Sequence, residues 1–166
     1  RRSWRIGGSG NIQINLIAIG ERMPAWVEAG YHEYAKRLPH ECRLTLREIP
    51  AGRRTKGADL KRLIEQEGAR QLAAIPAGCR VVALDRGGRQ MDTEQLATEL
   101  KKRLAGGQNL ALLIGGPEGL APQCLKRADD TWSLSALTLA HPVVRVVLAE
   151  QLYRTWSIVK GLPYHR

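Results

Sequence analysis

The sequence predicts a single α/β domain built on a mainly parallel sheet. Short apolar runs alternate with longer segments of helical periodicity, and two of the runs, at residues 80–85 and 109–114, contain continuous apolar stretches. Strands of that kind are buried on both faces, as in a sheet covered by helices on both sides. The length of 166 residues and the hydrophobic fraction of 43% fit one folded domain with its own core.

The first half of the chain predicts two strand–helix pairs. Residues 12–19 are apolar enough for a buried strand, and residues 24–38 begin with a proline and place apolar side chains at helical spacing. Residues 43–49 alternate imperfectly between polar and apolar positions, as expected for a strand with one covered face. A basic loop then leads to a helix over about residues 58–74.

The second half predicts three more β-rich runs and three helices. The run at residues 80–85 is expected to stop at the turn Arg86-Gly87-Gly88, and Asp92 or Thr93 is expected to cap the next helix. The remaining predicted elements are that helix, which extends to residue 104, a strand at 109–114, a short helix at Pro122–Arg127, a β-rich run at 131–139 and a last helix at 142–159.

The formal net charge of +10 predicts a polyanionic partner such as nucleic acid, since phosphate contacts release counterions. Residues 1–11 include three arginines and a Gly-Ser-Gly stretch, and we set them apart as an extension or cloning remnant outside the domain at residues 12–166. Without them 23 basic residues face 16 acidic ones, a balance of +7. The basic run with Arg53, Arg54 and Lys56 is either phosphate-facing or a solvated surface.

Other classes of protein are disfavoured by simple counts. Cys42, Cys79 and Cys124 are isolated, with no second cysteine or histidine at ligand spacing, so no metal site is expected. No apolar run approaches the roughly 20 residues that span a bilayer, and no cleavable leader opens the chain. We therefore expect a soluble, cytoplasmic protein without membrane or metal partners.

Three loops at the carboxyl ends of predicted strands are candidate functional segments, because ligands of parallel sheets bind there. They follow Asp85, Ile114 and Leu139. The second loop, Gly-Gly-Pro-Glu-Gly at residues 115–119, matches neither common phosphate-binding motif; it either holds an adenosine-type ligand through its backbone or makes a plain tight turn. In the third, His141 precedes a helix-opening proline and is either a site residue or a helix-cap histidine.

The last helix and the tail carry further candidates. Apolar residues occupy more than one stripe of the helix, which favours a second copy of the chain as packing partner over a helix wedged into the monomer core. Arg154 lies four residues after Glu150, so it is either a site residue or half of an intrahelical ion pair. The tail Tyr164-His165-Arg166 offers stacking, proton transfer and bidentate phosphate recognition.

Four motifs carry a specific resemblance. They are LLIGGPEGL at residues 112–120, WSLSALTL with a following His-Pro at 132–142, VRVVLAEQLYR with a following Trp at 144–156, and the terminal Pro-Tyr-His-Arg. Together they closely resemble the RlmH family, bacterial methyltransferases of the SPOUT superfamily that act on 23S ribosomal RNA. The resemblance covers residues 12–166.

The resemblance implies a SPOUT-type fold, in which a mainly parallel sheet flanked by helices has a C-terminal trefoil knot that binds the cofactor, and an obligate homodimer. It further implies methyl transfer from S-adenosyl-L-methionine to N3 of a pseudouridine in helix 69 of the 23S rRNA, within the assembled 70S ribosome. No metal is required by this chemistry. The tail of one subunit is expected to complete the pocket of the other, which makes the site composite.

The resemblance also implies roles for single residues. Arg154 and Arg166 suit charge stabilisation and RNA contact, Tyr164 suits stacking on the base, and His141 or His165 suits relay of the N3 proton. The remaining implied site residues are Arg53, Arg54 and Lys56 for RNA, and Leu84, Gly115, Gly116, Leu134, Ser135, Ala136, Leu137, Thr138, Leu139 and Ala140 for the cofactor.

One departure and three alternatives accompany this interpretation. Ala140 stands where many relatives carry proline before the His-Pro pair, which is expected to loosen the pocket wall. The alternatives are a non-catalytic basic module that binds ribosomal RNA, a SPOUT methyltransferase with another RNA target, and a small-molecule enzyme that uses the same cofactor. Cofactor binding and salt-dependent RNA affinity distinguish them.

Overall fold

A five-stranded parallel sheet lies between two layers of helices in the computed structural model, which describes residues 10–165. The predicted α/β class is thus confirmed. The strands are β1 (Ile12–Ile19), β2 (Cys42–Ile49), β3 (Arg80–Gln90), β4 (Leu110–Ile114) and β5 (Asp130–Ser133), and their spatial order is β2-β1-β4-β3-β5. The helices are α1 (Ala25–Ala35), α2 (Leu60–Ala73), α3 (Thr93–Gly106), α4 (Pro122–Arg127) and α5 (His141–Lys160), followed by a 3-10 turn at Pro163–His165.

The register of the sheet aligns the carboxyl ends of its strands. Ile19 pairs with Ile49 between β1 and β2, and Ile114 pairs with Leu84 between β4 and β3. The loops that follow β1, β2 and β4 therefore leave the sheet from one common edge, where parallel sheets bind ligands.

Each face of the sheet has its own apolar core. On one face, α1, α3 and α5 bury residues such as Leu100, Leu148 and Trp156 against the strands. On the other face, α2 and α4 pack over a smaller cluster that includes Cys124 and Val81. Two covered faces explain why β4 is buried at all five positions. No helix within residues 10–165 is long and apolar enough to cross a membrane.

Local capping determines where two of the helices begin. Asp92, and not Thr93, caps α3: its carboxylate accepts from the Gln95 amide at 2.8 Å, and the Gln95 side chain accepts from the Asp92 amide at 2.9 Å. Asp59 caps α2 by accepting from the Arg62 amide at 3.1 Å, so this helix begins at Leu60.

Three predicted boundaries were wrong. β3 does not stop at residue 85 but continues to Gln90, because Gly88 lies so close to Thr131 that an added Cβ would be 2.6 Å from its carbonyl, and pairing with β5 resumes after a register shift. β5 ends at Ser133, because Ser133 and Ser135 form side-chain hydrogen bonds that turn the chain. α1 ends at Ala35 and not at residue 38, since Pro39 disfavours helical backbone before it.

Candidate active site

The three candidate loops meet around a cavity of about 480 Å³ at the carboxyl edge of the sheet. We call it the first cavity; it lies beyond the ends of β4 and β5 and beside residues 84–86 of β3. Its wall contains all of the residues predicted for the cofactor except Ala136. The structure also places Asp85, Arg86, Pro117 and Val144 in this wall, residues to which the sequence interpretation gave no role. The loops thus form one site, and what they bind stays a prediction.

The floor of the first cavity is backbone of the loop after β4. Gly116 and Gly119 form an isolated bridge in which the Gly119 amide donates to the Gly116 carbonyl at 2.9 Å. A Cβ added to Gly115 would lie 2.2 Å from the Gly119 carbonyl carbon and 2.5 Å from the Leu120 nitrogen. Since both are backbone atoms that have no rotamer to move, glycine is required at position 115 for this loop shape.

The opposite wall is the irregular segment between β5 and α5. The Ser135 hydroxyl accepts from the Leu137 amide at 2.9 Å, and the Ser133 hydroxyl donates to the Ser135 carbonyl at 2.9 Å. Arg86 lies in β3 where its pairing with β5 shifts register; it donates a hydrogen bond to the Thr138 hydroxyl and so joins two walls of the cavity. Leu137 is 72% exposed although it lines the cavity, so a bound molecule would cover apolar surface there.

An arginine clasp fixes the glycine loop from the side of α2. Arg54 donates to the Glu118 carboxylate at 2.9 and 3.2 Å and to the Gly52 carbonyl at 2.8 Å. It also pairs with Glu67, a residue of α2 that is only 4% exposed. These hydrogen bonds lower the pKa of Glu118 and keep it charged. Because Arg54 is engaged by two carboxylates, it is less available to RNA phosphates than its exposed neighbours Arg53 and Lys56.

His141 is the first residue of α5, and one nitrogen of its imidazole ring lacks a hydrogen-bond partner among the described residues. Its Nδ1 is buried and has no hydrogen-bond partner among the described residues. Burial lowers its pKa below the ordinary value, and the nearby Arg145 lowers it further, so that the imidazole is neutral at pH 7. Arg145 itself is 2% exposed and donates to Glu48 at 2.6 Å and to the Gly20 carbonyl at 2.8 Å. Sequence interpretation missed Arg145; the available signal was one arginine within an apolar helix segment.

Arg154 and Tyr164 form a second cluster near the end of α5. Glu150 accepts from Arg154 at 3.0 Å and from the Tyr164 hydroxyl at 2.8 Å. The Tyr164 ring packs edge-to-face against the Tyr153 ring, with 4.6 Å between the ring centroids. The Arg154 guanidinium lies 5.0 Å from the centroid of the Tyr164 ring. Burial and the bond to Glu150 raise the pKa of Tyr164 to about 12. We call these residues the tail cluster; the ion pair expected between Glu150 and Arg154 is present.

The structure does not bring all of the predicted catalytic residues together within one chain. His141 lies in the wall of the first cavity, whereas Arg154 is 13 residues further along the same helix, about 20 Å away at the helical rise. Tyr164 accompanies Arg154. His165 ends the 3-10 turn, and its side chain is not described; Arg166 and residues 1–9 lie outside the described residues. One chain therefore presents His141 at the start of α5 and Arg154 with Tyr164 towards its other end.

The described residues 10–165 contain no group of histidine, cysteine, aspartate or glutamate side chains able to hold a metal ion. The site offers instead backbone, hydroxyls and apolar surface in the first cavity, with the guanidinium of Arg86 in its wall and that of Arg54 in the adjoining cavity. Such a lining suits an uncharged planar ligand held by backbone groups, with anions recognised nearby.

Comparison with known proteins gives close relatives along almost the entire length. The SPOUT_MTase family model, described as "Predicted SPOUT methyltransferase", matches residues 12–165. The protein named Ribosomal RNA large subunit methyltransferase H from Thioalkalivibrio sulfidiphilus is 60% identical over 155 residues, which cover 93% of this chain and 99% of that one. The protein of the same name from Methylococcus capsulatus is 51% identical over 155 residues, with 93% and 100% covered.

Solved structures share the fold at much lower identity. The Probable Methyltransferase from Bordetella pertussis Tohama I gives a TM-score of 0.55 at 12% identity, covering 89% of this chain and 95% of that one. A methylase family protein from Neisseria gonorrhoeae gives a TM-score of 0.52 at 16% identity, covering 87% and 82%. These likenesses support the architecture alone. With the family match along residues 12–165 and two relatives above 50% identity, the chain belongs to the SPOUT methyltransferase family.

Proposed function

We propose that this protein transfers a methyl group from S-adenosyl-L-methionine to N3 of a pseudouridine in the 23S rRNA, within the 70S ribosome. The relatives at 60% and 51% identity are named for methylation of large-subunit ribosomal RNA. The observation that supports it most is the first cavity, whose wall holds every residue that the family resemblance assigns to the cofactor except Ala136.

The residues of the first cavity fit the adenosine part of that cofactor. Leu84, Leu134 and Leu139 supply apolar surface for a planar ring, and the glycine loop presents backbone without a Cβ at Gly115. The volume of about 480 Å³ lies in the usual range of cofactor sites. When bound, the cofactor supplies a methyl group carried on a sulfonium sulfur. The sulfur is the leaving group and becomes a neutral thioether.

The protein's own residues accept a proton, stabilise negative charge and position the base. The acceptor N3 loses its proton, forms a bond to the methyl carbon, and the carbon–sulfur bond breaks. His141, neutral and in the wall of the first cavity, accepts the N3 proton. Arg154 stabilises the negative charge that spreads over the two neighbouring carbonyl oxygens, and Tyr164 positions the base. His165 remains the alternative proton relay, and Arg166 remains a candidate for charge stabilisation and RNA contact; the His165 side chain and Arg166 lie outside the described residues.

We further propose that the complete site forms between two chains in a homodimer. Within one chain about 20 Å separates Arg154 from His141 along α5, too far for both to act on one base. In a two-fold dimer, the tail cluster of one chain can complete the first cavity of its partner. Trp26 on α1 is 61% exposed, and Val143, Val146 and Val147 of α5 are only half-buried, so apolar surface is available for that partner.

The site is further proposed to lie in a trefoil knot formed by the C-terminal half, and the protein to act in the bacterial cytoplasm where ribosomes are found. Residues 1–11 are proposed to lie outside the catalytic domain, in line with a family match that starts at residue 12. Arg53 and Lys56 are exposed in the loop beside the clasp and are proposed phosphate contacts.

Methyl transfer to ribosomes that lack this methylation tests the proposal. The protein is incubated with isotope-labelled S-adenosyl-L-methionine and either 70S ribosomes or free 23S rRNA, and the nucleosides are identified by mass spectrometry. We expect labelled N3-methylpseudouridine from 70S ribosomes, and none with the Gly115→Ala variant, whose added Cβ collides with backbone. A folded protein that binds the RNA but not the cofactor would support the non-catalytic module, and label in another nucleoside would indicate a different RNA target.

A further inference from the structure

A second cavity adjoins the first, beyond the carboxyl ends of β1 and β2. It has a volume of about 380 Å³, and its wall includes Gly20, Arg22, Ala51 and Arg54. Pro117 and His141 line both cavities. The two cavities therefore adjoin at these two residues.

Adjacent cavities with a shared wall suit the two substrates of a group transfer. Transfer in one step needs the donor and acceptor atoms within roughly 3–3.5 Å of each other in the reactive complex. A methyl donor in the first cavity can satisfy this with an acceptor that reaches it from the second cavity, past the edges of Pro117 and His141. The second cavity has this position, and its volume falls in the range of small-ligand sites.

The charges of the second cavity favour an anion. It carries two guanidinium groups against one carboxylate, that of Glu21. Arg54 is already paired with Glu67 and Glu118. Arg22 is exposed, and the ion pairs found among residues 10–165 do not include it. Its guanidinium is available for a bidentate contact with a phosphate group.

The backbone that carries Arg22 is strained and firmly anchored. Arg22 has φ +56°, a left-handed conformation that a residue with a side chain seldom adopts, and Gly20 two residues earlier has φ +110°. Arg145 fixes this turn by donating to the Gly20 carbonyl at 2.8 Å, while Glu48 accepts from Arg145 at 2.6 Å. Conformations of this cost persist where the surrounding structure enforces them, which is common at binding sites.

From these contacts we infer that the second cavity binds the target pyrimidine nucleotide of the RNA, with Arg22 on its phosphate and the base facing the shared wall at His141. The inference rests on the proposed function. It assigns one substrate to each cavity, and it makes Arg22 a determinant of RNA binding and not of cofactor binding.

The Arg22→Gly variant tests the assignment, because glycine keeps the left-handed backbone while the guanidinium is removed. We expect the KM for 70S ribosomes to rise by about tenfold or more, equivalent to about 1.4 kcal/mol. The dissociation constant for S-adenosylhomocysteine, measured by calorimetry, is expected to change less than about twofold. Arg22→Lys should recover part of the RNA affinity, and Lys102→Ala, which removes an exposed charge from α3, should leave KM unchanged.

A second variant fills the cavity without touching a charge. Ala51 is exposed at the wall, so Ala51→Phe is expected to fold with an unchanged melting temperature, to bind S-adenosylhomocysteine normally and to lose binding of the ribosome in an equilibrium assay. An unchanged KM in Arg22→Gly together with normal ribosome binding by Ala51→Phe would overturn the inference. Equal loss of cofactor and RNA affinity would assign the second cavity to the cofactor instead. If the wild-type protein fails to methylate ribosomes, it is the proposed function that fails.

Discussion

Arg54 shows how one side chain can connect three parts of the chain that are distant in sequence. It joins the loop after β2 to Glu67 of α2 and to Glu118 of the glycine loop. The buried carboxylate of Glu67 depends on this arginine for its charge partner. Arg54 thus acts on the first cavity indirectly, by positioning the loop that forms its floor.

Replacing Arg54 should therefore weaken cofactor binding although it is absent from the first cavity. We expect Arg54→Met to raise the dissociation constant for S-adenosylhomocysteine by about tenfold, with Arg54→Lys in between because it restores one charge but not the fork of donors. Calorimetric titration measures both. Arg62→Met removes a neighbouring exposed charge and serves as the control; an equal loss in this control would attribute the effect to net charge and refute the clasp.

The protonation of His141 predicts a pH dependence of stability. Its pKa is held below 6.5 in the folded protein by burial, with Arg145 adding to the shift. The unfolded chain then binds a proton at higher pH than the folded one, so the free energy of unfolding decreases as the pH falls through about 6.5. Denaturant unfolding of wild type and His141→Asn between about pH 7.5 and 5.5 tests this. The variant should lose less stability than the wild type, and an identical pH slope for both proteins would contradict it.

At single positions, the sequence predicts those site residues that are marked by their immediate neighbours in the chain. Gly115 and His141 are recognisable because a glycine after a buried strand and a histidine at a helix start are local patterns. The ion pair between Arg145 and Glu48 joins residues 97 positions apart, and no local pattern reveals it. The same holds for the clasp of Arg54, which the charge pattern alone assigns to RNA.

At the scale of elements, α5 determines the geometry of the proposed site. Its 20 residues carry His141 at one end and Arg154 and the contacts to Tyr164 near the other. The sequence predicts its position to within one residue at each end, because the proline at the start and Gly161 after the end are strong signals. The β3 extension was not predictable, because it depends on contact between Gly88 and Thr131 of another strand.

Removal of the Arg154 side chain separates the tasks of the two ends of α5. Arg154→Ala should lower kcat by about a hundredfold or more, because charge stabilisation at the base is lost. Its affinity for S-adenosylhomocysteine should remain that of the wild type, since the proposal assigns Arg154 to the charge on the base and not to the cofactor. Steady-state kinetics and calorimetry provide the two readouts. A parallel loss of cofactor affinity would place Arg154 in the cofactor pocket.

At the scale of the whole molecule, the proposed catalytic set is complete only when two chains combine. The arrangement of the strands aligns three loops around the first cavity, while the tail cluster remains at the other end of α5. Sequence periodicity predicts the sheet and the excess apolar surface of α5, which favours a partner. It does not predict which residues the partner brings, because contacts between copies leave no periodic trace within a chain.

Mixing two inactive variants tests the composite site most directly. Gly115→Ala blocks the first cavity, and Arg154→Ala disables the tail cluster, so each homodimer should be inactive. In a reassorted equimolar mixture, half of the dimers combine one chain of each kind, and each of these has one site built from two intact halves. The account predicts recovery of about a quarter of the wild-type methyl transfer to 70S ribosomes. Activity that stays at the level of the parent variants, in a mixture shown by native mass spectrometry to contain the heterodimer, would contradict it.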